Sequence, residues 1–265
     1  MYEGRASGTF KDPNVLGSFL LLVITYLTAQ LLLGLTKRPL FVTFWLVIAM
    51  VGQFLTFSRG AWMATVFAVA LLGLMGFTRY ADRRLRRRMV GIGSTILALA
   101  VISIAIALTD EGTRELLFMR ASAVQDYDVG ETGRFGNQLR AIITLLGKPE
   151  GFGPLRLRLT FMLDPHNSYI GAFANFGLIG GFLWIIIVST TFYVGFRTMW
   201  QRTPIQPYAI AIVPAVLAML LQGFQIDIDH WRHVYIGFGA VWGMEAARAR
   251  WAYLQSQQPT IGRTA

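Results

Sequence analysis

The chain has 265 residues, of which 54% are hydrophobic and only 14% charged. A soluble domain carries about 25% charged residues, so an ordinary water-soluble globule is excluded, and the lack of any cysteine excludes disulfide and thiolate chemistry. A net charge of +10 would suggest nucleic acid in a soluble protein, but the placement of the charges gives them another use.

The apolar residues come in long blocks. In chain order these are 14–35, 40–57, 60–78, 89–109, 168–196 and 207–225, with a shorter block at about 234–247 that carries Glu245. Crossing the hydrocarbon core takes roughly 20 apolar residues. Lipid offers no partner for a free backbone group, so such blocks must be helices. The expected fold is an all-α integral membrane protein with about seven transmembrane helices. The opening "MYEGRASGTFKDPN" lacks the basic start, apolar core and cleavage site of a signal peptide.

With the N-terminus outside, Lys37, Arg38, the arginines of "RYADRRLRRR", Arg197, Arg202, Arg248, Arg250 and Arg263 all fall inside. The inner segments then hold thirteen basic and two acidic residues, against eleven and twelve outside. That is the positive-inside pattern. The basic run is therefore a topology anchor, and nucleic acid is not expected as a partner. A chain that starts outside with no preceding span is expected to be the C-terminal part of a larger protein, or to begin at an internal methionine. Residues 1–254 read as one membrane domain and 255–265 as a short cytoplasmic tail.

One connection is long: residues 110–167, on the outer face. In "TGRFGNQLRAIITLLGKP", Phe135, Leu139, Ile142, Ile143 and Leu146 share one helical face. An amphipathic helix lying on the membrane fits that pattern, ending at Gly147 and Pro149. "EGFGPL" reads as a turn. "RLRLT" alternates Arg156 and Arg158 with leucines, as an exposed strand or loop would. The glycines at 171, 177, 180 and 181, and at 237, 239 and 243, read as small residues for close helix packing in lipid.

Few residues carry chemistry. Arg59, in "TFSRGAWMAT", stands at the outer ends of the second and third spans. It either snorkels to the headgroups or holds an anion. Its planar fork of donors suits phosphate, and a cation at a helix start sits against the dipole unless an anion relieves it. Arg134 stands at another helix start. Arg140 reads as part of a solvated face. His166, in "DPHNSY", is placed to act as a base near neutral pH, beside Asn167 or Ser168 as a helix cap. His230 and His233 lie with Asp227 and Asp229 in "DIDHWRH", where no metal-motif spacing occurs. No phosphate-binding loop, dinucleotide fingerprint or nucleophile elbow is present.

Three stretches in order resemble the O-antigen ligase/polymerase family of bacterial membrane glycosyltransferases. They are "GTFKDPNVLGSFL", then "SRGAWMA", then "GRFGNQLRAIITLLGKPEGFGPL" with "DPHNSYIGAFANFGLIGGFLW". The resemblance covers about residues 8–243, and Leu139 stands near the place where the family carries an aromatic. It implies transfer of a glycan from an undecaprenyl-pyrophosphate carrier to a sugar hydroxyl of lipid A–core or of a growing polysaccharide. The reaction would occur at the periplasmic face of the bacterial inner membrane, without metal or cofactor and with inversion at the anomeric carbon. Arg59 and Arg134 would stabilise the leaving pyrophosphate, His166 would orient or deprotonate the acceptor, and Arg140 and Asn167 would join the substrate contacts. Other expected partners are membrane lipids. A transporter or flippase-like protein for lipid-linked or anionic substrates, and a non-catalytic scaffold of an envelope polysaccharide complex, are the competing readings.

Overall fold

The computed structural model describes residues 5–115, 133–161 and 166–257, apart from the side chains of Leu99, Ala107 and Arg134. Among these residues every regular element is helical. The helices are α1 (Pro13–Leu32), α2 (Pro39–Leu55), α3 (Arg59–Met75), α4 (Arg83–Ala107), α5 (Arg134–Leu146), α6 (Leu157–Phe161), α7 (Ser168–Trp200), α8 (Gln206–Gln222) and α9 (Arg232–Ser256). A π-helical turn, Gly76–Tyr80, continues α3.

Local chemistry sets the starts. Asp12 caps α1 by accepting from the amides of Asn14 and Val15, with Pro13 supplying a preset φ. Pro39 opens α2 the same way. Ser58 caps α3, Asp82 caps α4 and Asn167 caps α7. α5 starts at Arg134 and stops at Gly147, as its periodicity predicts.

Four helical stretches are long and apolar enough to cross a membrane: Pro13–Leu32, Arg59–Tyr80, Arg83–Ile106 and Ser168–Trp200. α2 and α8 are apolar but have 17 residues each, about 25 Å of helix. α9 is longer but carries Glu245, Arg248 and Arg250. Glu245 is engaged there, gripped at both oxygens by Arg248 at 2.7 Å and approached by Arg197 at 3.6 Å.

The core is built around α8. Ala209, Ile210, Ala211, Val213, Ala215, Val216 and Met219 are buried on all its sides, as expected of a helix surrounded by others. α1, α3, α7 and α9 enclose it, and α2 packs on the far side of α1. Gly195 and Gly237 serve this packing, because a Cβ there would press on Val213 and Val216 respectively. Gly239 and Gly243 do not: a Cβ at either meets no described atom within 4 Å.

Gly177 corrects the packing reading in another way. It sits about two and a half turns into α7 with φ 69°, and it breaks the helix. A continuous helix would pair the Leu178 amide with the Ala174 carbonyl. Instead, the Leu178 amide donates to the Pro149 carbonyl at 2.8 Å, and the Ala174 carbonyl accepts from the Phe152 amide at 2.7 Å. The turn at 149–152 thus inserts its backbone into the helix, and one lost internal bond becomes two. Gly151 (φ 74°) faces the break so closely that a Cβ would stand 2.7 Å from the Phe173 carbonyl oxygen. "RLRLT" is likewise not extended. Leu157–Phe161 is a single helical turn, because Leu157 must tuck inward against Ala141 and Ala174 while the arginines stay out.

Candidate functional site

The end of the bundle where α3 and α7 begin and α8 finishes collects most of the sequence-predicted residues. Its organiser is the turn after α8, residues 223–228. The Ser168 amide donates to the Gly223 carbonyl at 2.8 Å. Asn167 Nδ2 donates to Phe224 O at 3.2 Å, Ser168 Oγ donates to Ile226 O at 3.1 Å, and the Ile228 amide donates to Ser168 Oγ at 2.6 Å. Tyr169 stacks on Phe224 and donates its hydroxyl proton to Leu220 O. The turn is therefore stapled to the mouth of α7.

Asp227 projects from this turn toward His166. Its Oδ1 accepts from the Asn167 amide at 3.0 Å, and its Oδ2 lies 3.4 Å from His166 Nδ1. His166 is held at φ 46°, with its side chain half exposed. A carboxylate at Nδ1 fixes the ring and leaves Nε2 as the edge available for proton transfer. Asn167 is occupied: its Oδ1 caps α7 and its Nδ2 holds Phe224.

The start of α3, which bears Arg59, adjoins the same turn. It is the first residue of α3 and is partly buried. The Cα of the adjoining Gly60 faces the side chains of Gln222 and Gln225. Beneath it, Ser58 Oγ donates to Asn14 Oδ1 at 2.7 Å, Arg5 Nη2 donates to the same oxygen, and Arg5 Nε donates to Thr56 O. This polar frame fixes the start of α3 against the start of α1. Gln222 Oε1 and Gln53 Oε1, both buried near this end, have no hydrogen-bond partner among the described residues.

The loop helix also touches the site. Gln138 of α5 approaches the His166 carbonyl at 3.5 Å. The Arg134 side chain lies outside the described residues, but its backbone stands one helical turn before Gln138, on the same face. Arg140 is farther away, with its guanidinium 5.3 Å over the Phe161 ring of α6. Phe135, Leu139, Ile142, Ile143 and Leu146 are all exposed, while Asn137 and Ala141 are buried. The bundle is met by the small and polar side of α5, and the apolar side faces outward.

The histidines do not converge. His230 is exposed beside Asp229 at 3.7 Å, and His233 is buried against Trp231 and Phe19. Among the described residues, no group of three or more His, Cys, Asp or Glu is placed to hold a metal. Burial, and secondarily the charge of Asp227, push the Asp229 carboxyl up from its ordinary value. Sequence reading missed the pairing of Asp227 with His166, whose only advance signal was an acidic residue just past a span on the same face.

An apolar groove adjoins this end. Tyr169, Phe192, Leu217, Leu221 and Phe224 line a space of about 360 Å³ between α7 and α8. Comparison with protein-family models, with curated proteins and with solved structures gives no significant match.

Proposed function

We propose that this protein is a polyprenyl-pyrophosphate-dependent glycosyltransferase of the O-antigen ligase/polymerase type, acting at the periplasmic face of the bacterial inner membrane. In this reading the chain crosses the membrane about seven times, with α2, α8 and α9 joining the four longer helices, and α5 rests its exposed apolar side on the lipid. The observation that carries the reading is the His166–Asp227 pair, at the same end of the bundle as the start of α3 that bears Arg59.

The chemistry follows from these groups. His166, oriented by Asp227, takes the proton of the acceptor hydroxyl. The hydroxyl oxygen attacks the anomeric carbon, and the bond to the pyrophosphate breaks. Charge develops on the leaving pyrophosphate, which Arg59 and Arg134 are assigned to stabilise with guanidinium donors. The groove between α7 and α8 suits the polyprenyl tail, since its walls are apolar and it ends beside the turn that bears Asp227.

A transporter reading has one observation in its favour, the break at Gly177, because transporters use interrupted helices at their binding sites. Here the backbone groups freed by the break are taken by residues 149–152 and are not left for a substrate.

The test is restoration of surface glycan in a ligase- or polymerase-deficient strain, together with release of undecaprenyl pyrophosphate in membranes supplied with the lipid-linked donor. Wild type is expected to act in both, and His166→Ala and Arg59→Ala in neither. Wild-type glycan from both variants would remove this assignment.

A further inference from the structure

The opposite end of the bundle holds a second polar site. α3 and α8 both run from one end to the other, so the π-turn and the start of α8 lie away from His166. There, a cleft of about 470 Å³ is lined by Arg79, Arg86, Arg202, Asp82, Thr203 and Trp251, among others. Its arginines come from three separate segments and converge on one cleft, an arrangement that topology anchoring alone does not require.

Two of the three arginines are stacked on aromatic rings. The π-turn, closed by the Ala81 amide donating to the Gly76 carbonyl at 2.8 Å, carries Arg79 and Tyr80 to the rim. Such turns are uncommon and concentrate at functional sites. The Arg79 guanidinium lies 3.2 Å over the Trp200 ring, and Arg86 lies 5.0 Å over Phe77. Stacking orients a guanidinium while leaving its edge donors open. Arg202 stands on the exposed link between α7 and α8. Asp82 is the acid in the lining, and it is committed to capping α4 through the Leu85 amide at 2.7 Å. None of the three arginines makes an ion pair among the described residues. Thr203 Oγ1 is buried there without a hydrogen-bond partner among the described residues.

We propose that this cleft binds a phosphate group at the membrane surface, supplied by the headgroup of an anionic phospholipid. Three arginine forks face one committed carboxylate, which leaves a surplus of positive charge that suits a phosphodiester. Aromatic side chains at the rim, Tyr80, Trp200 and Trp251, belong at the headgroup level. Basic pockets between helices at that level recognise anionic headgroups. The proposal rests on the protein lying in a membrane and not on glycosyl transfer.

The test uses the full chain in nanodiscs of phosphatidylcholine alone, or mixed with an equal share of phosphatidylglycerol, with lipid retention read by native mass spectrometry. Wild type is expected to retain phosphatidylglycerol selectively. The Arg86→Gln/Arg202→Gln pair is expected to lose about fivefold of that selectivity for each arginine removed. Arg202→Gln alone, on an exposed link, serves if the pair fails to fold. The Arg83→Gln/Arg84→Gln pair, outside the cleft on the same helix, keeps the selectivity; an equal loss there would overturn the site in favour of general surface charge. Thermal stabilisation by inorganic phosphate without a phosphatidylglycerol preference would overturn the lipid source. Wild-type retention by both cleft variants would overturn the proposal entirely.

Discussion

Asp227 Oδ2 lies 3.4 Å from His166 Nδ1 while Asp227 Oδ1 accepts the Asn167 amide at 3.0 Å. One carboxylate thus joins the turn after α8 to the residue that precedes the α7 cap. The histidine is oriented by a group that is itself fixed, which is the arrangement a proton-transferring imidazole needs.

Replacing Asp227 by Asn keeps an oxygen for the Asn167 amide but removes the charge beside the ring. Asp227→Asn is expected to lower kcat by about ten- to a hundredfold, and His166→Ala by at least as much. Thermal unfolding of the Asn variant stays close to wild type. Donor turnover in membranes measures the first effect and intrinsic tryptophan fluorescence the second. Wild-type turnover by Asp227→Asn would separate this carboxylate from the chemistry.

Arg59 separates charge from geometry. Arg59→Ala is expected to reduce turnover by about a hundred- to a thousandfold, the range seen on loss of a transition-state donor. Arg59→Lys should recover little, because lysine keeps the charge but loses the planar fork. Full rescue by lysine would leave only a long-range electrostatic role.

The glycines predict opposite signs. At Gly177 and Gly151 an added Cβ would stand 2.7 Å from a backbone oxygen, with φ in the left-handed region at both. Gly177→Ala and Gly151→Ala should each cost about 2 kcal/mol or more, seen as a lower Tm in detergent. Gly239→Ala enters open space in a helix interior and should gain about 0.5–1 kcal/mol. A stable Gly177→Ala variant would mean that the turn at 149–152 does not occupy the break.

Asp229 gives a pH test. Its folded pKa is raised, chiefly by burial. The folded state therefore binds the proton more tightly than the unfolded state, and stability falls as pH rises through the carboxylate range to the raised value. Asp229→Asn removes that loss. The variant should exceed wild type in Tm at neutral pH, with the gap closing as pH falls below the ordinary carboxylate pKa. A gap that is constant with pH would place the effect in packing.

Much of the helical frame could be read directly. Asn167 or Ser168 in "DPHNSY" announces the start of α7 through cap chemistry that is local to the sequence. The 3.6-residue period marked α5, and Gly147 its end. The amphipathic pattern does not name the residues that meet the bundle. In lipid the apolar side of such a helix faces out, and Asn137 and Ala141 face in. The break at Gly177 was hidden because a glycine for close packing and a glycine for positive φ look the same in sequence. Asp227 was hidden because its partner arrives through the stapling of two distant segments, which no local spacing encodes.

The insertion of residues 149–152 into α7 makes length the quantity that positions the outer helices. Its two bonds are backbone to backbone, so they register the loop against α7 residue by residue whatever the neighbouring side chains are. Adding or deleting one residue between Gly147 and Gly151 would shift α5 along α7 and carry Gln138 away from the His166 carbonyl, although every side chain of the candidate site remained present.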